Sequence, residues 1–206
     1  MVRSHLYLAS ASPRRRELLL QIGVTCQVLP VDLDESPEPG ESAEHYVGRL
    51  ALDKARAALT LLGKAERTLI LAADTAVVIG ADILGKPRDA ADAAAMLRRL
   101  SGGEHRVLSG VALIGADGRE TSALSESRVR MRRIFDAEMA AYWATGEPAD
   151  KAGGYAIQGA CRGLRRGPER ELFRRHGAAP LRDRGPTGRG WGAQPAHDNF
   201  EGTHLK

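Results

Sequence analysis

The sequence predicts an α/β fold with a mixed, twisted sheet flanked by helices. Three observations lead there. Short apolar, strand-like runs alternate with segments whose apolar residues recur at helical spacing, the pattern of layered α/β domains. The 43% apolar content over 206 residues is enough for one packed domain. The longest apolar runs, Leu69 to Ala73 and Ala76 to Ile79, fall far short of the roughly 20 residues that span a bilayer, so no membrane segment is expected.

Taken in order, Leu6-Tyr7-Leu8-Ala9 reads as a strand, and Ser12 then caps a helix with Pro13 at its first position, stopped by Gly23. Thr25 to Val31 reads as a second strand, and the Pro- and Glu-rich stretch from Asp34 to Glu41 as an exposed loop. Ser42 begins a long amphipathic helix with Val47, Leu50, Ala51, Ala55, Ala58, Leu59 and Leu62 on one face, ended by Gly63. Leu69 to Ala73 is a continuous apolar run, as of a strand buried on both faces, ending at Asp74-Thr75. Ala76 to Ile79 follows as a separate strand, and Gly80-Ala81-Asp82 turns it into Ile83-Leu84-Gly85-Lys86-Pro87. Asp89 caps an Ala-rich helix closed by Ser101-Gly102-Gly103. Two strands, Arg106 to Ile114 and Ser122 to Ile134, are joined at Asp117-Gly118, and Asp136 caps a short helix of Met139, Tyr142 and Trp143 that stops at Gly146.

Cys26 and Cys161 are far apart with no metal-ligand spacing around either, which argues against a disulfide framework or a zinc site. The N-terminus lacks the apolar stretch and cleavage site of a secretory signal, and the expected location is the cytoplasm. A pI near 9.3 would ordinarily point to a polyanionic partner. Here the basicity is local: Cys161 to Lys206 carries ten Lys and Arg against five Asp and Glu, leaving residues 1–160 at 20 against 21. Nucleic acid is therefore not the expected partner. A basic tail acting as a nucleic-acid arm would give salt-dependent binding, but its aromatic residues Phe173, Trp191 and Phe200 are too widely spaced for a stacking ladder.

Chemistry is concentrated in a few places. The strand passing through Ser10-Ala11-Ser12-Pro13 into a helix offers free backbone N–H groups and a positive dipole end to a phosphate. Arg14 and Arg15 add bidentate donors. An ordinary capped helix would place cations there only at a cost unless an anion offsets them. Asp74 at the end of an apolar strand can bind a hydrated divalent cation or take a proton from water, although a turn-forming Asp reads the same in sequence. Lys54, Lys86, Glu35 and Gln158, read singly, are ordinary surface residues. Together they are the inventory of a triphosphate and metal site, and spacing alone does not show that they converge.

Leu8-Ala9-Ser10-Ala11-Ser12-Pro13-Arg14-Arg15, Arg49-Leu50-Ala51 with Lys54-Ala55, Ala73-Asp74-Thr75, Gly85-Lys86-Pro87, and Asp150-Lys151-Ala152-Gly153 with Ile157-Gln158-Gly159 follow one another in an order and spacing that resembles the Maf family. The resemblance runs from Leu6 to Gly159. It implies two lobes around a nucleotide cleft, as in inosine triphosphate pyrophosphatases, and hydrolysis of a nucleoside triphosphate to monophosphate and pyrophosphate with Mg²⁺ or Mn²⁺, a nucleotide-pool housecleaning activity. By the same resemblance Asp74 is the general base and a metal ligand with Glu35, while Ser10, Arg14, Arg15, Lys54 and Lys86 hold phosphates. Arg14, Thr75 and Gln158 match the family's dTTP/UTP branch, and a Gln side chain offers the donor and acceptor that a uracil or thymine edge needs. A homodimer is also implied. A non-catalytic nucleotide sensor linked to cell-division control remains the alternative, as does an inactive copy of the enzyme.

Beyond Gly159 the resemblance stops. Residues 161–206 contain no Val or Ile, and 12 of the 46 are Gly or Pro, a composition that cannot supply core strands. The domain expectation is thus a nucleotide pyrophosphatase domain over 1–160, incomplete at its C-terminal end, and an aberrant, disordered basic tail over 161–206. Written in permitted codons and read one base on, Glu171 to Asp183 yields Ser-Tyr-Phe-Val-Val-Thr-Gly-Leu-Pro-Leu-Tyr-Glu-Thr, which resembles the family's missing motif. A frameshift near codon 160 accounts for both the loss and its location.

Overall fold

A computed structural model describes residues 5–63, 68–156 and 160–164. The elements run β1 (His5–Leu8), α1 (Pro13–Gln21), β2 (Gln27–Val28), α2 (Ala43–Leu62), β3 (Thr68–Ile79), β4 (Asp82–Leu84), α3 (Ala90–Leu100), β5 (Glu104–Gly115), β6 (Glu120–Arg130) and α4 (Asp136–Ala144), followed by 3₁₀ turns at Ala152–Gly154 and Ala160–Leu164. The sheet has the order β2-β1-β3-β5-β6, with β4 also paired to β3. β1 runs parallel to β2 and β3, while β3–β4, β3–β5 and β5–β6 are antiparallel. The mixed α/β fold read from the sequence is therefore the fold observed. Among the described residues no helix is long and apolar enough to cross a membrane.

The expected boundaries shift in physically instructive places. β3 does not end at Asp74-Thr75. It continues for 12 residues because β5 pairs with it from Leu69 to Val78. Nor is its apolar run buried on both faces: Thr68, Ile70, Ala72, Asp74, Ala76 and Val78 are buried, whereas Leu69, Leu71 and Ala73 are only half-buried. Successive side chains on a strand point to opposite faces, and the first set lies under α2. β2 shrinks to two residues because β1 alone pairs with it. Ser12 does stand at the start of α1, but its hydroxyl makes no capping bond. Phe135, rather than Asp136, precedes α4, and its N–H donates to the Glu138 carboxylate at 2.9 Å. Ser42 and Asp89 cap α2 and α3 as expected, accepting from the His45 and Asp92 N–H groups.

α2 lies close on the sheet because its inner face is small. Ala51, Ala55 and Ala58 pack with Ile70, Ala72, Ala112 and Ile114, and Val47 with Ala76, Val78 and Leu108. A second core gathers Val77, Leu84, Leu97, Leu100, Val107, Met131, Tyr142, Tyr155 and Cys161 beneath α3 and α4. Cys161 is buried in this core and forms no disulfide with Cys26.

His105 sits in this second core, 3% exposed. Burial pushes its imidazole down to about 4, only partly opposed by the Glu104 charge. The folded state thus favours the neutral ring, and the unfolded chain binds more protons between the two values. Stability rises with pH across that window and is lost as pH falls from about 6.5 to about 4, by about 3 kcal/mol in total. Urea unfolding at pH 7 and pH 4.5 measures this, and the loss should shrink markedly in His105→Phe.

Candidate functional site

The site forms where β3 lacks a strand neighbour along part of one edge. On that edge β1 pairs with Thr68 to Leu71 and β4 with Val77 to Ile79, while β5 occupies the other edge throughout. The stretch from Ala72 to Ala76, with Asp74 at its centre, is left open to the turn that leaves β1. The Ala9 N–H, donating to the Leu71 carbonyl at 2.8 Å, is the last bond before the chain turns into α1. Asp74 and Thr75, successive on β3, point to opposite faces of the sheet. Lys54 of α2 meets Asp74 on one, and Arg15 of α1 approaches Thr75 on the other.

Lys54 links three elements. Its ammonium lies 2.7 Å from Asp74 Oδ1 and 2.6 Å from Glu35 Oε1. Lys54 and Asp74 are both buried, so this pair sits in a medium where charges interact more strongly than in water. Lys86 Nζ stands 3.7 Å from the other Glu35 oxygen, with its side chain largely exposed. Burial works against the Glu35 charge, but Lys54, Lys86 and Arg15 outweigh it and hold the carboxyl below its ordinary value.

Arg15 approaches from the first turn of α1. Its guanidinium donates to the Ser10 hydroxyl at 3.0 Å and, at 3.4 Å, to that of Thr75. Ser10 also accepts from the Ser12 N–H at 3.2 Å, which fixes the turn. Partial burial draws the Arg15 pKa down, against the pull of the Asp74 and Glu35 charges, and its half-buried guanidinium offers bidentate donors suited to an anion. Arg14 is half-buried beside it on the same turn. Arg15, Lys54 and Lys86 thus face two carboxylates, leaving a positive surplus suited to a polyphosphate.

The site residues expected from the sequence therefore fall into three groups. Ser10, Arg15, Glu35, Lys54, Asp74, Thr75 and Lys86 are linked by the contacts above; Arg14 adjoins them; Gln158 lies outside the described residues. Sequence reasoning missed three contributors. Tyr46 donates its hydroxyl to the Glu35 carbonyl at 2.8 Å, and Arg49 donates to the Ser36 carbonyl at 3.2 Å while clamping Glu41 through two 2.7 Å bonds. Together they fasten the acidic loop to α2; Arg49 holds Glu41 at about 2. Ser109, opposite Thr75 on β5, places its hydroxyl 3.2 Å from that of Thr75. Arg49 stands in one of the motifs quoted above and Tyr46 lies three residues before it on α2, which could have flagged both, whereas Ser109 is visible only once the strand register is known.

No group of three or more His, Cys, Asp or Glu side chains is arranged to hold a metal among the described residues. What is present is a pair of carboxylates, Glu35 and Asp74, around one ammonium. Two hard oxygen donors fit a Mg²⁺-like ion better than a metal held entirely by protein ligands.

Residues 5–166 match the Maf-like protein family model. The chain is 52% identical over 158 residues to a dTTP/UTP pyrophosphatase of Hahella chejuensis, covering 76% of this chain and 78% of that protein. It is 54% identical over 155 residues to a dTTP/UTP pyrophosphatase of Saccharophagus degradans, covering 75% and 73%. A third dTTP/UTP pyrophosphatase, of Myxococcus xanthus, is 52% identical over 154 residues, covering 75% and 76%. Among solved structures, a nucleoside-triphosphatase / dITP/XTP pyrophosphatase of Mycobacterium abscessus is 21% identical, covers 63% of this chain and 75% of that chain, and has a TM-score of 0.39, too slight a likeness to argue from.

Proposed function

The chain belongs to the Maf-like protein family, and on that premise we propose that it hydrolyses dTTP and UTP to the nucleoside monophosphate and pyrophosphate. The observation that carries this reading is the Glu35–Lys54–Asp74 bridge at the open edge of β3, met by Arg15 from the β1–α1 turn. A base and a set of phosphate-binding cations stand within one side chain's reach of each other, with similarity to dTTP/UTP pyrophosphatases over three quarters of the chain.

In the proposed reaction a water oxygen forms a bond to the α-phosphorus as the bond to the α,β-bridging oxygen breaks, and pyrophosphate leaves with that electron pair. Asp74 accepts the proton that the water loses. One of its oxygens is engaged by Lys54, which orients the carboxylate and leaves the other to face the water. Arg15, Arg14, Lys86 and the Ser10 turn hold the phosphates in line, and Lys54 is close enough to join them. Glu35 and Asp74 would hold a divalent cation, Mg²⁺ or Mn²⁺, which would supply further neutralisation of developing charge. Positioning and electrostatics of this kind account for most of the rate in phosphoryl chemistry. Thr75 and Gln158 contribute to selecting the pyrimidine nucleotide, with Ser109 orienting the Thr75 hydroxyl.

The tail belongs to the same proposal. Residues 161–206 are read as the product of a shifted frame, and the domain proper as 1–160. The composition of the tail and the three-quarter coverage by the relatives support this. Sequencing the DNA around codon 160 tests it, since an uninterrupted frame shared with close relatives of this chain would overturn it.

Pyrophosphate release from dTTP, UTP, CTP and 7-methyl-GTP with Mg²⁺ tests the activity, using this chain beside one with the frame restored. Turnover of dTTP and UTP well above the other two is expected, with the restored chain at least as active. Absence of turnover by a folded, restored chain would leave a nucleotide-binding module in place of the enzyme.

A further inference from the structure

The second core contains a buried polar unit that the reaction above does not use. His105 Nε2 and the Tyr155 hydroxyl are 2.6 Å apart, with the two rings edge to face at a centroid distance of 5.4 Å. Both residues are almost wholly buried, at 3% and 4% exposure. Nδ1 of the same imidazole is buried with no hydrogen-bond partner among the described residues. Leaving a buried ring nitrogen unsatisfied is costly, so a purely apolar side chain would serve the core better. The position is held by something other than packing.

Tyr155 connects to the site through its neighbours. It ends a turn, Lys151 to Gly154, in which Gly153 and Gly154 both adopt positive φ, 70° and 67°. The Gly153 N–H donates to the Gly85 carbonyl at 2.9 Å, and Gly85 immediately precedes Lys86. Gly153 is also pressed on Val77 so closely that a Cβ there would lie 2.9 Å from Val77 Cγ1. On the other side of Tyr155, the Ala156 N–H donates to the Tyr142 hydroxyl at 3.0 Å, and that hydroxyl donates to Glu147 at 2.8 Å. The turn is thereby fixed at three points: His105 holds Tyr155, Tyr142 holds Ala156, and Gly153 holds Gly85.

We propose that His105 and Tyr155 are positioning residues for the nucleotide site, fixing through the Gly153–Gly85 hydrogen bond the backbone that presents Lys86 to the phosphates. The unit is rigid because its members are buried and joined by direct hydrogen bonds, whereas the Lys86 side chain is largely exposed and, among the described residues, has only Glu35 at 3.7 Å to orient it. The Gly85–Pro87 backbone, held from the second core, is what sets where the Lys86 ammonium can reach. This rests on Lys86 being a phosphate ligand, as proposed above.

Binding of UTP, measured by calorimetry on full-length chains, tests it. All carry Asp74→Asn so that hydrolysis does not intervene, and the four compared are that background alone and with Tyr155→Phe, with Lys86→Ala, and with both. Tyr155→Phe keeps the ring and removes only the hydroxyl. It is expected to weaken UTP binding roughly 10-fold when Lys86 is present and less than about 2-fold when Lys86 is already Ala, the non-additivity of residues acting through one another. Unchanged affinity in Tyr155→Phe, or the same loss in both backgrounds, would overturn the positioning role. A loss of thermal stability without that pattern would assign the pair to the core alone. If the Asp74→Asn background and the unsubstituted chain both fail to bind UTP, the proposed function itself is wrong; if UTP binds but Lys86→Ala does not weaken it, the phosphate role of Lys86 is wrong and the positioning role falls with it.

Discussion

Asp74→Asn lowers kcat for UTP by roughly 10³-fold while leaving UTP binding within a few-fold of the unsubstituted chain, the usual scale for removing a positioned general base. The substitution keeps the size of the side chain and its place on β3 opposite Gly110. It removes the negative charge that, on the proposed mechanism, accepts the proton and that Lys54 meets at 2.7 Å. Lys54 retains Glu35 at 2.6 Å, so the ammonium is not abandoned and the cations of the proposed phosphate site stay in place. Losing a negative charge beside a polyanion lessens repulsion, and the amide oxygen can still serve, with Glu35, as a ligand to the proposed cation, so the effect should fall on kcat rather than KM. Steady-state kinetics with calorimetry separates the two, and turnover within about 10-fold of the unsubstituted rate would take Asp74 out of the role of base.

Gly110→Ala destabilises the fold by about 3 kcal/mol or more, through a clash that no rotamer relieves. A Cβ at this position would lie 2.3 Å from the Val47 carbonyl oxygen, 2.6 Å from its carbon and 3.0 Å from the Gly48 nitrogen, all backbone atoms of α2. The helix must lift from the sheet to make room. Lys54 lies two turns along α2 from Val47, and Gly110 is the register partner of Asp74, so the same displacement separates Lys54 from Asp74. Activity should therefore fall even where the variant remains folded. Gly103→Ala is the control, because its Cβ would meet only the Leu100 carbonyl at 3.7 Å. Equal urea midpoints for the two variants would show that α2 does not approach the sheet as closely as described.

Much of this protein was legible in one dimension. Helix starts at Pro13, Ala43 and Ala90 follow from residues whose local chemistry favours those positions, and two of the three are secured by side-chain caps. The strand at β3 was legible as an apolar run, but its continuity was not. A polar Asp-Thr pair in the middle of a strand reads as a terminus, because sequence alone does not reveal that β5 supplies hydrogen bonds on one edge past that point. The one-sided burial of Leu69 to Ala73 was hidden for a related reason: it depends on which face α2 covers. Ser109 and the His105–Tyr155 pair were illegible altogether, since a serine, a histidine and a tyrosine have many uses and only pairing register and core packing gave them these.

By itself the sequence determined the inventory: the fold class, the helix start after β1, the charged residues proposed for the site, the family, and the change in composition after residue 160. These are consequences of local propensity, periodicity and residue chemistry, which act over a few positions. The tertiary structure decided the convergence. Lys54 and Asp74 are 20 positions apart, and Glu35 and Lys86 lie on separate loops. They meet because β1 and β4 leave the middle of β3 open between them, where Lys54 of α2 reaches Asp74 and Arg15 of α1 reaches its neighbour Thr75. That arrangement is fixed by long-range strand pairing and by the close seating of an alanine-lined helix, interactions whose free energy depends on the whole packed domain.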